Sequence, residues 1–528
     1  MGFYVNPPAD AFKAILRSKT YIDKSGLIAY MNQVLETSRM LTCFSRLRRF
    51  GKSFAAKMLA AYYSRGADSR ELFEDLEIAG MKDAQFEENL NRHDVLFFDM
   101  TSFISMADSI NDTIRDLQSD IIHELKETFP NCINENIKSL FKALMQVHAK
   151  TGRKFFIIID EWDALFREAQ ENEELQKEYI QLLRSMFKSS QTSQVIIGAY
   201  MTGILPIKKY GTQSALTDFK EYTMLEPGVL TSFIGFTDEE VRNLCAEYNL
   251  EFDSARKWYD GYFPNKTGHI YCPNSIMEAV SNHRFGDYWT KTETYESLKT
   301  YIDMNYDGLK DAIVDLLGEK RCRIDTGTFQ NDMTSLSGKD DIFTLLVHLG
   351  YLAYDMETEE VFIPNEEVRN EFIRAIREGR RPELAKAVRM SDKLLEATLC
   401  SDETTVARIL EDTHETETMP INYNNEQALR YVVIMAYLSA VDHYLRFEEL
   451  ASGKGYSDIL FLPRNTSSKP ALLIELKWNK NADKALSQIT DKNYAHILRK
   501  FNYTGEALLI GINYNAKSKK HTCKIKKI

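Results

Sequence analysis

Between residues 40 and 230, short apolar runs alternate with segments of helical periodicity, and this alternation limits the fold more than any other feature. MLTCFS, DVLFFDM (94–100), KFFIIIDEWDALF (154–166) and SQVIIGAYMTGI read as strands. KSFAAKMLAAYYSRG, SINDTIRDLQSDIIHELKETF and EELQKEYIQLLRSMFKSS read as helices, the first ended by Gly66. Strands separated by helices imply a parallel sheet with right-handed crossovers. The first strand runs into SRLRRFGKSF (45–54), whose Gly51-Lys52-Ser53 is the end of a phosphate-binding loop, G-x-x-x-x-G-K-[ST]. Arg46 stands where the first glycine of that pattern belongs.

The setting strengthens the short motif. A tripeptide that follows an apolar strand and opens a helix aims backbone N–H groups and a positive helix end at phosphate. Lys52 is expected at the outer phosphates of ATP and Ser53 at Mg²⁺. Asp160 ends a strand of five apolar residues, where a Mg²⁺-ordering acid belongs, and Glu161 beside it could polarise an attacking water. A strand that merely runs into a charged loop is the plainer reading of IIIDEWD; the loop and strand together, in this order, are much less common. Arg46, Arg48 and Arg49 come close to the site, and guanidinium groups bind phosphate oxygens bidentately. The loop could thus replace backbone approach by side-chain charge, or the arginines could face a carboxylate or another subunit.

The pattern changes at about residue 231. GFTDEEVRNLCAEY opens with Thr237 and Glu240 as a capping box. Helices dominate to about 335, and residues 340–376 then read helix, short hairpin, helix, the order of a small winged-helix element. It has no basic recognition face, so a packing role is expected of it. Residues 382–528 form a third unit, with helices to about 445, strands GYSDILFLP (455–463) and ALLIELKW (471–478), a helix from NADKALSQ onward, and a strand ALLIGINY. The expected boundaries are 1–230, 231–381 and 382–528.

In that third unit Asp458 sits on one strand and Glu475 and Lys477 on the next. Period-two alternation puts Glu475 and Lys477 on one face, with Leu472, Ile474 and Leu476 on the other. A hairpin could bring Asp458 beside Glu475. Two converging carboxylates beside a lysine suit Mg²⁺, or Mn²⁺ in its place, and such a metal activates water against a phosphodiester. A lone E-x-K is better read as an exposed salt bridge; the second carboxylate and the hairpin favour the nuclease reading.

SRLRRFGKSF, YIDKSGLI (21–28), IIIDEWD and TGILPI (202–207) resemble the AAA-ATPase-like domain of bacterial proteins that end in a PD-(D/E)xK nuclease-like domain. WYDGYF (258–263), YCPNSI (271–276) and GYLAYD are similar to that family too, and the resemblance covers nearly the whole chain. It implies an N-terminal P-loop NTPase fold with a usual arginine-rich loop, a helical middle, and a C-terminal α/β nuclease-like domain. It implies nucleotide binding by Arg48, Arg49, Gly51, Lys52, Ser53 and Asp160, with Thr202 sensing the terminal phosphate. Asp458-x16-Glu475-x-Lys477 matches the nuclease pattern. Glu426, opening a helix before the hairpin, matches the acid this superfamily often keeps. Gln488 is similar to the glutamine of RecB-type nucleases, but the tyrosine those carry four residues later is replaced by Lys492, with Tyr494 nearest.

Composition bounds the rest. At 528 residues, two to four domains are expected. The longest apolar run, YVVIMAYLSAV, is too short to span a bilayer, and MGFYVNPPADAFK shows no basic-then-apolar signal. Seven scattered cysteines with no C-x-x-C spacing are expected to be reduced thiols, which fits a cytoplasmic protein. Net charge is −11, yet residues 452–528 carry 15 Lys/Arg against 5 Asp/Glu, a net +10, leaving −21 for the remainder. Such asymmetry suggests a nucleic-acid partner for the basic part, DNA before RNA. The plainer reading is a solvated face, with KSKKHTCKIKKI as a frayed tail. An ATPase coupled to a Mg²⁺-dependent nuclease is therefore expected. The alternatives are a non-catalytic nucleotide-dependent switch whose nuclease-like fold only binds nucleic acid or protein, and a scaffold with two decayed sites. A homo-oligomer stays open.

Overall fold

The computed structural model describes the chain except residues 1, 67, 83, 208, 211–212, 215, 263–267, 290–294, 305, 307, 331–335, 379–381, 418–425, 452–455, 465–468, 492–497 and 499–502. For Glu426, Asp458 and Gln488 the backbone alone is described; Lys492 and Tyr494 lie outside the described residues. The chain divides into two compact units, Met1–Thr292 with Arg323–Glu366, and Glu293–Cys322 with Glu367–Ile528. Among the described residues no helix is long and apolar enough to cross a membrane.

The first unit is built on a parallel sheet. Its strands are β1 (Leu41–Ser45), β2 (Asp94–Asp99), β3 (Phe155–Asp160), β4 (Ile196–Gly203) and β5 (Lys220–Tyr222), in the order β2-β3-β4-β1-β5. Every residue of β1, β3 and β4 is buried, as expected of central strands covered on both faces. The short β5 pairs with β1 and was not among the expected strands; KEY has no apolar run, and only its partner makes it a strand. The β2 edge is closed by the N-terminal residues: Asn6 N donates to Val95 O, and Phe97 N to Tyr4 O, both at 2.8 Å.

Helices α1 (Lys52–Tyr63), α2 (Thr113–Thr128), α3 (Leu140–Thr151) and α4 (Glu173–Phe187) cover the sheet. Leu117, Ile121, Leu144 and Leu183 join Ile157, Ile159 and Met201 in one core. Glycine at the start of α1 has a positional reason. Gly51 holds φ 90, a left-handed conformation that glycine adopts without a Cβ penalty.

Helix α5 (Asp238–Glu247) opens with the expected capping box: Thr237 Oγ1 accepts from Glu240 N, and Glu240 Oε2 accepts from Thr237 N at 2.7 Å. Farther along come α6 (Lys339–Leu349), a hairpin of β6 (Ala353–Asp355) and β7 (Glu360–Phe362), and α7 (Glu366–Glu378), in the helix–hairpin–helix order that the sequence predicts.

The second unit contains α8 (Pro382–Leu399), α9 (Glu403–Glu417), α10 (Glu426–Ala436), β8 (Tyr444–Ala451), β9 (Tyr456–Pro463), β10 (Ala471–Trp478), α11 (Ala482–Asp491), β11 (Ala507–Asn515) and β12 (Lys520–Lys527). The five strands form one mixed sheet in chain order, parallel at β10–β11 and antiparallel elsewhere. Leu472, Ile474 and Leu476 pack with α8, α9 and α10 on one face; Leu460, Leu473 and Leu509 lie in a separate core on the other. The frayed-tail reading of KSKKHTCKIKKI is corrected. β12 pairs with β11 from Leu508↔Lys527 to Asn515↔Lys520. His521 and Cys523 are buried, while Lys520, Lys526 and Lys527 are exposed, and edge lysines of this kind resist pairing with another chain.

Candidate active sites

Lys52 lies almost wholly enclosed by its own loop. Its Nζ donates to the carbonyls of Arg46 (2.8 Å) and Leu47 (3.0 Å) and stands 3.8 Å from Glu161 Oε1. Burial lowers its pKa, and the nearby Glu161, Asp163 and Asp160 carboxylates oppose that. Lys52, Ser53, Gly51, Arg48 and Arg49 all line one cavity of about 670 Å³, together with Glu161. Arg46 does not. Its guanidinium is fully buried behind the loop, donating to Thr223 O and, at 3.1 Å, to Pro227 O. Burial brings its pKa down to about 9. The expectation that Arg46 approaches phosphate is therefore corrected: carbonyl dipoles at the exit of β5 take its charge, and it braces the loop.

The carboxylates Asp160 and Glu161 stand at the end of β3, and Thr202 at the end of β4. With β4 lying between β1 and β3, Thr202 falls between the loop and Asp160. The Thr202 hydroxyl donates to Asp160 Oδ1, and Ser53 also bonds this carboxylate. Burial raises the Asp160 pKa, and these two hydrogen bonds lower it. A hydroxyl and a buried carboxylate joined in this way are hard oxygen donors of the kind Mg²⁺ takes. Glu161 has φ 52, a left-handed conformation that costs a non-glycine residue about 1–2 kcal/mol. Its backbone N donates to Thr202 Oγ1 at 3.3 Å, and its Oε2 accepts from Arg167 Nη2 at 2.6 Å.

Two residues here were not anticipated. Asp163 accepts from Ile204 N (3.2 Å), Leu205 N (2.9 Å) and Arg167 Nε (3.2 Å), which ties TGILPI to IIIDEWD. Arg167 lines the cavity four residues later. The i, i+4 spacing of Asp163 and Arg167 was the available signal.

WYDGYF and GYLAYD meet the loop. The Tyr262 ring of WYDGYF packs edge-on against Phe50 with centroids 5.6 Å apart, and its hydroxyl donates to Gly350 O at 2.9 Å. Gly350, φ 88, approaches so closely that a Cβ would stand 2.4 Å from Leu47 Cδ1. Lys24 of YIDKSGLI donates to Glu240 at 2.6 Å and to Ser232 O at 2.7 Å. The turn at Gly350, between α6 and its hairpin, thus packs against the Gly51-Lys52-Ser53 loop.

In the second unit, β9 and β10 pair as Ile459↔Ile474, Leu460↔Leu473 and Phe461↔Leu472. Carrying that antiparallel register one residue further sets Asp458 across from Glu475, and directly opposed residues have Cα atoms about 4.5–5.5 Å apart. Lys477 Nζ donates to Glu475 Oε1 at 3.1 Å, and both residues are buried. They lie on the face of Leu473. Gly511 is paired with Glu475 on β11, and a Cβ there would meet Ala482 O at 2.5 Å, so glycine lets α11 close over this face. Gln488 belongs to α11. Glu426 opens α10, whose Leu429 and Val433 pack on the opposite face. This fit, a buried carboxylate registered against a second one beside a lysine, is compatible with a divalent cation held by Asp458 and Glu475.

Residues 9–212 match the family model described as a predicted AAA-ATPase, and residues 424–524 match that of the PD-(D/E)XK nuclease superfamily. The chain is an AAA-ATPase-like region followed by a nuclease-superfamily region, on a parallel P-loop-type sheet and a mixed α/β sheet respectively. It is 24% identical over 530 residues, 94% of this chain and 93% of the other, to an uncharacterized protein in the vnfD 5'region of Azotobacter chroococcum mcd 1.

Proposed function

We propose that the chain binds and hydrolyses ATP with Mg²⁺ and couples that cycle to a metal-dependent nuclease acting on DNA in preference to RNA. The observation that carries the reading is the register of β9 on β10, which supports a converging pair, Asp458 and Glu475, beside Lys477. In the ATPase part, Lys52, Arg48 and Arg49 bind phosphate, Gly51 frees the loop backbone, Ser53 and Asp160 hold Mg²⁺, Thr202 senses the terminal phosphate, and Glu161 orients water. In the nuclease part a Mg²⁺ or Mn²⁺ on Asp458 and Glu475 would polarise the phosphodiester and lower the pKa of attacking water. Lys477 steadies developing charge, and Glu426 and Gln488 support the site from their helices. The basic C-terminal surface follows the nucleic-acid backbone by phosphate contacts. The protein acts in the bacterial cytoplasm, in keeping with seven free cysteines, alone or as a homo-oligomer.

A second reading, a switch that binds ATP and hardly hydrolyses it, is favoured by one observation: Glu161 is already engaged by Arg167. The experiment incubates full-length protein with Mg²⁺, ATP and a panel of single- and double-stranded DNA and RNA, following phosphate release and strand cleavage together. Phosphate release and metal-dependent cleavage of DNA support the reading. Nucleotide binding with neither supports the switch.

A further inference from the structure

Two cations of the nucleotide cavity share one internal anion. The Glu161 carboxylate has Lys52 Nζ 3.8 Å from Oε1 and Arg167 Nη2 2.6 Å from Oε2. The Arg167 side chain is about one-tenth exposed. Its hold on Glu161 uses only the tip of the guanidinium. The Nε at the base of the fork is tied to Asp163, and Asp163 is fixed by the backbone N–H groups of Ile204 and Leu205. The tip can therefore change partners while the base stays anchored. Glu161 in turn rests in a left-handed conformation that its own side chain does not favour.

We propose that Arg167 is a cis-acting arginine that leaves the Glu161 carboxylate for the terminal phosphate of bound ATP, so that arrival of the phosphate frees Glu161 to orient water. A carboxylate between two cations is a stand-in for a phosphate, and the phosphate, with more charge and more acceptor oxygens, displaces it. Lys52 reaches the terminal phosphate from one side, and Arg167, which shares its anion, reaches it from the other. ADP lacks that phosphate and leaves the Glu161–Arg167 pair closed. Glu161 is therefore inactive until a triphosphate is present. This rests on the ATPase reading above.

The test uses the full-length chain with Mg²⁺, titrated calorimetrically with ADP and with the non-hydrolysable β,γ-imido analogue of ATP, and follows phosphate release at saturating ATP. Wild type, Arg167→Gln, Arg167→Lys and Glu161→Gln are compared. Arg167→Gln should lower the analogue-to-ADP affinity ratio by about tenfold or more, since a charge-assisted bond to the terminal phosphate is lost, while ADP affinity stays near wild type. Glu161→Gln should raise that ratio, because the competing carboxylate has lost its charge. Both should lose turnover, and Arg167→Lys should fall between Gln and wild type in the ratio. Opposite shifts by the two glutamine variants are the signature of competition. Shifts of the same sign, or a ratio unchanged in Arg167→Gln, would make the pair structural and overturn the proposal. If wild type binds neither nucleotide, the ATPase reading falls and this proposal with it. If wild type binds and hydrolyses ATP and Arg167→Gln matches it, the role of Arg167 alone is rejected.

Discussion

Lys477 Nζ lies 3.1 Å from Glu475 Oε1 on β10, and β9 pairs with β10 at Ile459↔Ile474, the residues next to Asp458 and Glu475. One ammonium can balance one carboxylate, and a divalent cation is needed to balance two brought together. Mg²⁺ should therefore raise the thermal midpoint of the protein, and Mn²⁺ should do the same. Asp458→Asn and Glu475→Gln should abolish that shift, whereas Lys477→Ala should keep it and lose cleavage rate, lysine being no ligand. A metal-induced shift equal in all four proteins would place the ion elsewhere.

Lys52 should be indispensable to nucleotide binding. Lys52→Ala removes a charge-assisted contact to the outer phosphates, and ATP affinity should fall by about tenfold or more. Calorimetric titration checks this, and unchanged affinity would remove the loop from nucleotide binding.

Arg46→Gly restores the glycine of the usual loop pattern, yet it should not improve nucleotide affinity. The guanidinium is spent on the carbonyls of Thr223 and Pro227, so its loss should cost about 2–4 kcal/mol of stability in denaturant unfolding. A variant that binds ATP more tightly at undiminished stability would contradict the bracing role.

His521 gives a pH prediction. Burial, with His414 alongside, brings its pKa down to about 3 from an ordinary 6.5. The unfolded chain therefore binds a proton that the folded chain refuses, so this residue's contribution is intact above pH 6.5 and fades as pH falls toward 3. Between pH 7 and pH 5 the loss is about 2 kcal/mol. His521→Gln should lose correspondingly less stability than wild type over that interval in thermal melts at the two pH values. Parallel losses would show that His521 protonates freely in the folded state.

The strands that carry the sites were legible because burial on both faces leaves a signature in one segment: FFIII and ALLIE need no partner to be read as strands. The phosphate loop and the E-x-K pair were legible because their chemistry sits within a few residues. β5 and β12 were obscured for the opposite reason. KEY and KHTCKIKK are polar or lysine-rich on one side, and only their neighbours β1 and β11 make them strands. The burial of Arg46 depends on carbonyls some 180 residues away in sequence, and the grip of Arg167 on Glu161 depends on how β3 turns into its following helix. Neither could be read from spacing alone.

That this chain is a metal-dependent nuclease with Asp458 and Glu475 at its centre can be checked by cleavage of end-labelled DNA with the full-length protein, ATP and Mg²⁺. Binding is followed in parallel at fixed salt. Wild type should cut, and chelation of the metal should stop it. Asp458→Asn and Glu475→Gln should bind as wild type does and cut at least about a hundredfold more slowly, as expected when a metal-bearing carboxylate is removed. If both variants cut as well as wild type, the carboxylate pair is structural and the nuclease assignment is wrong.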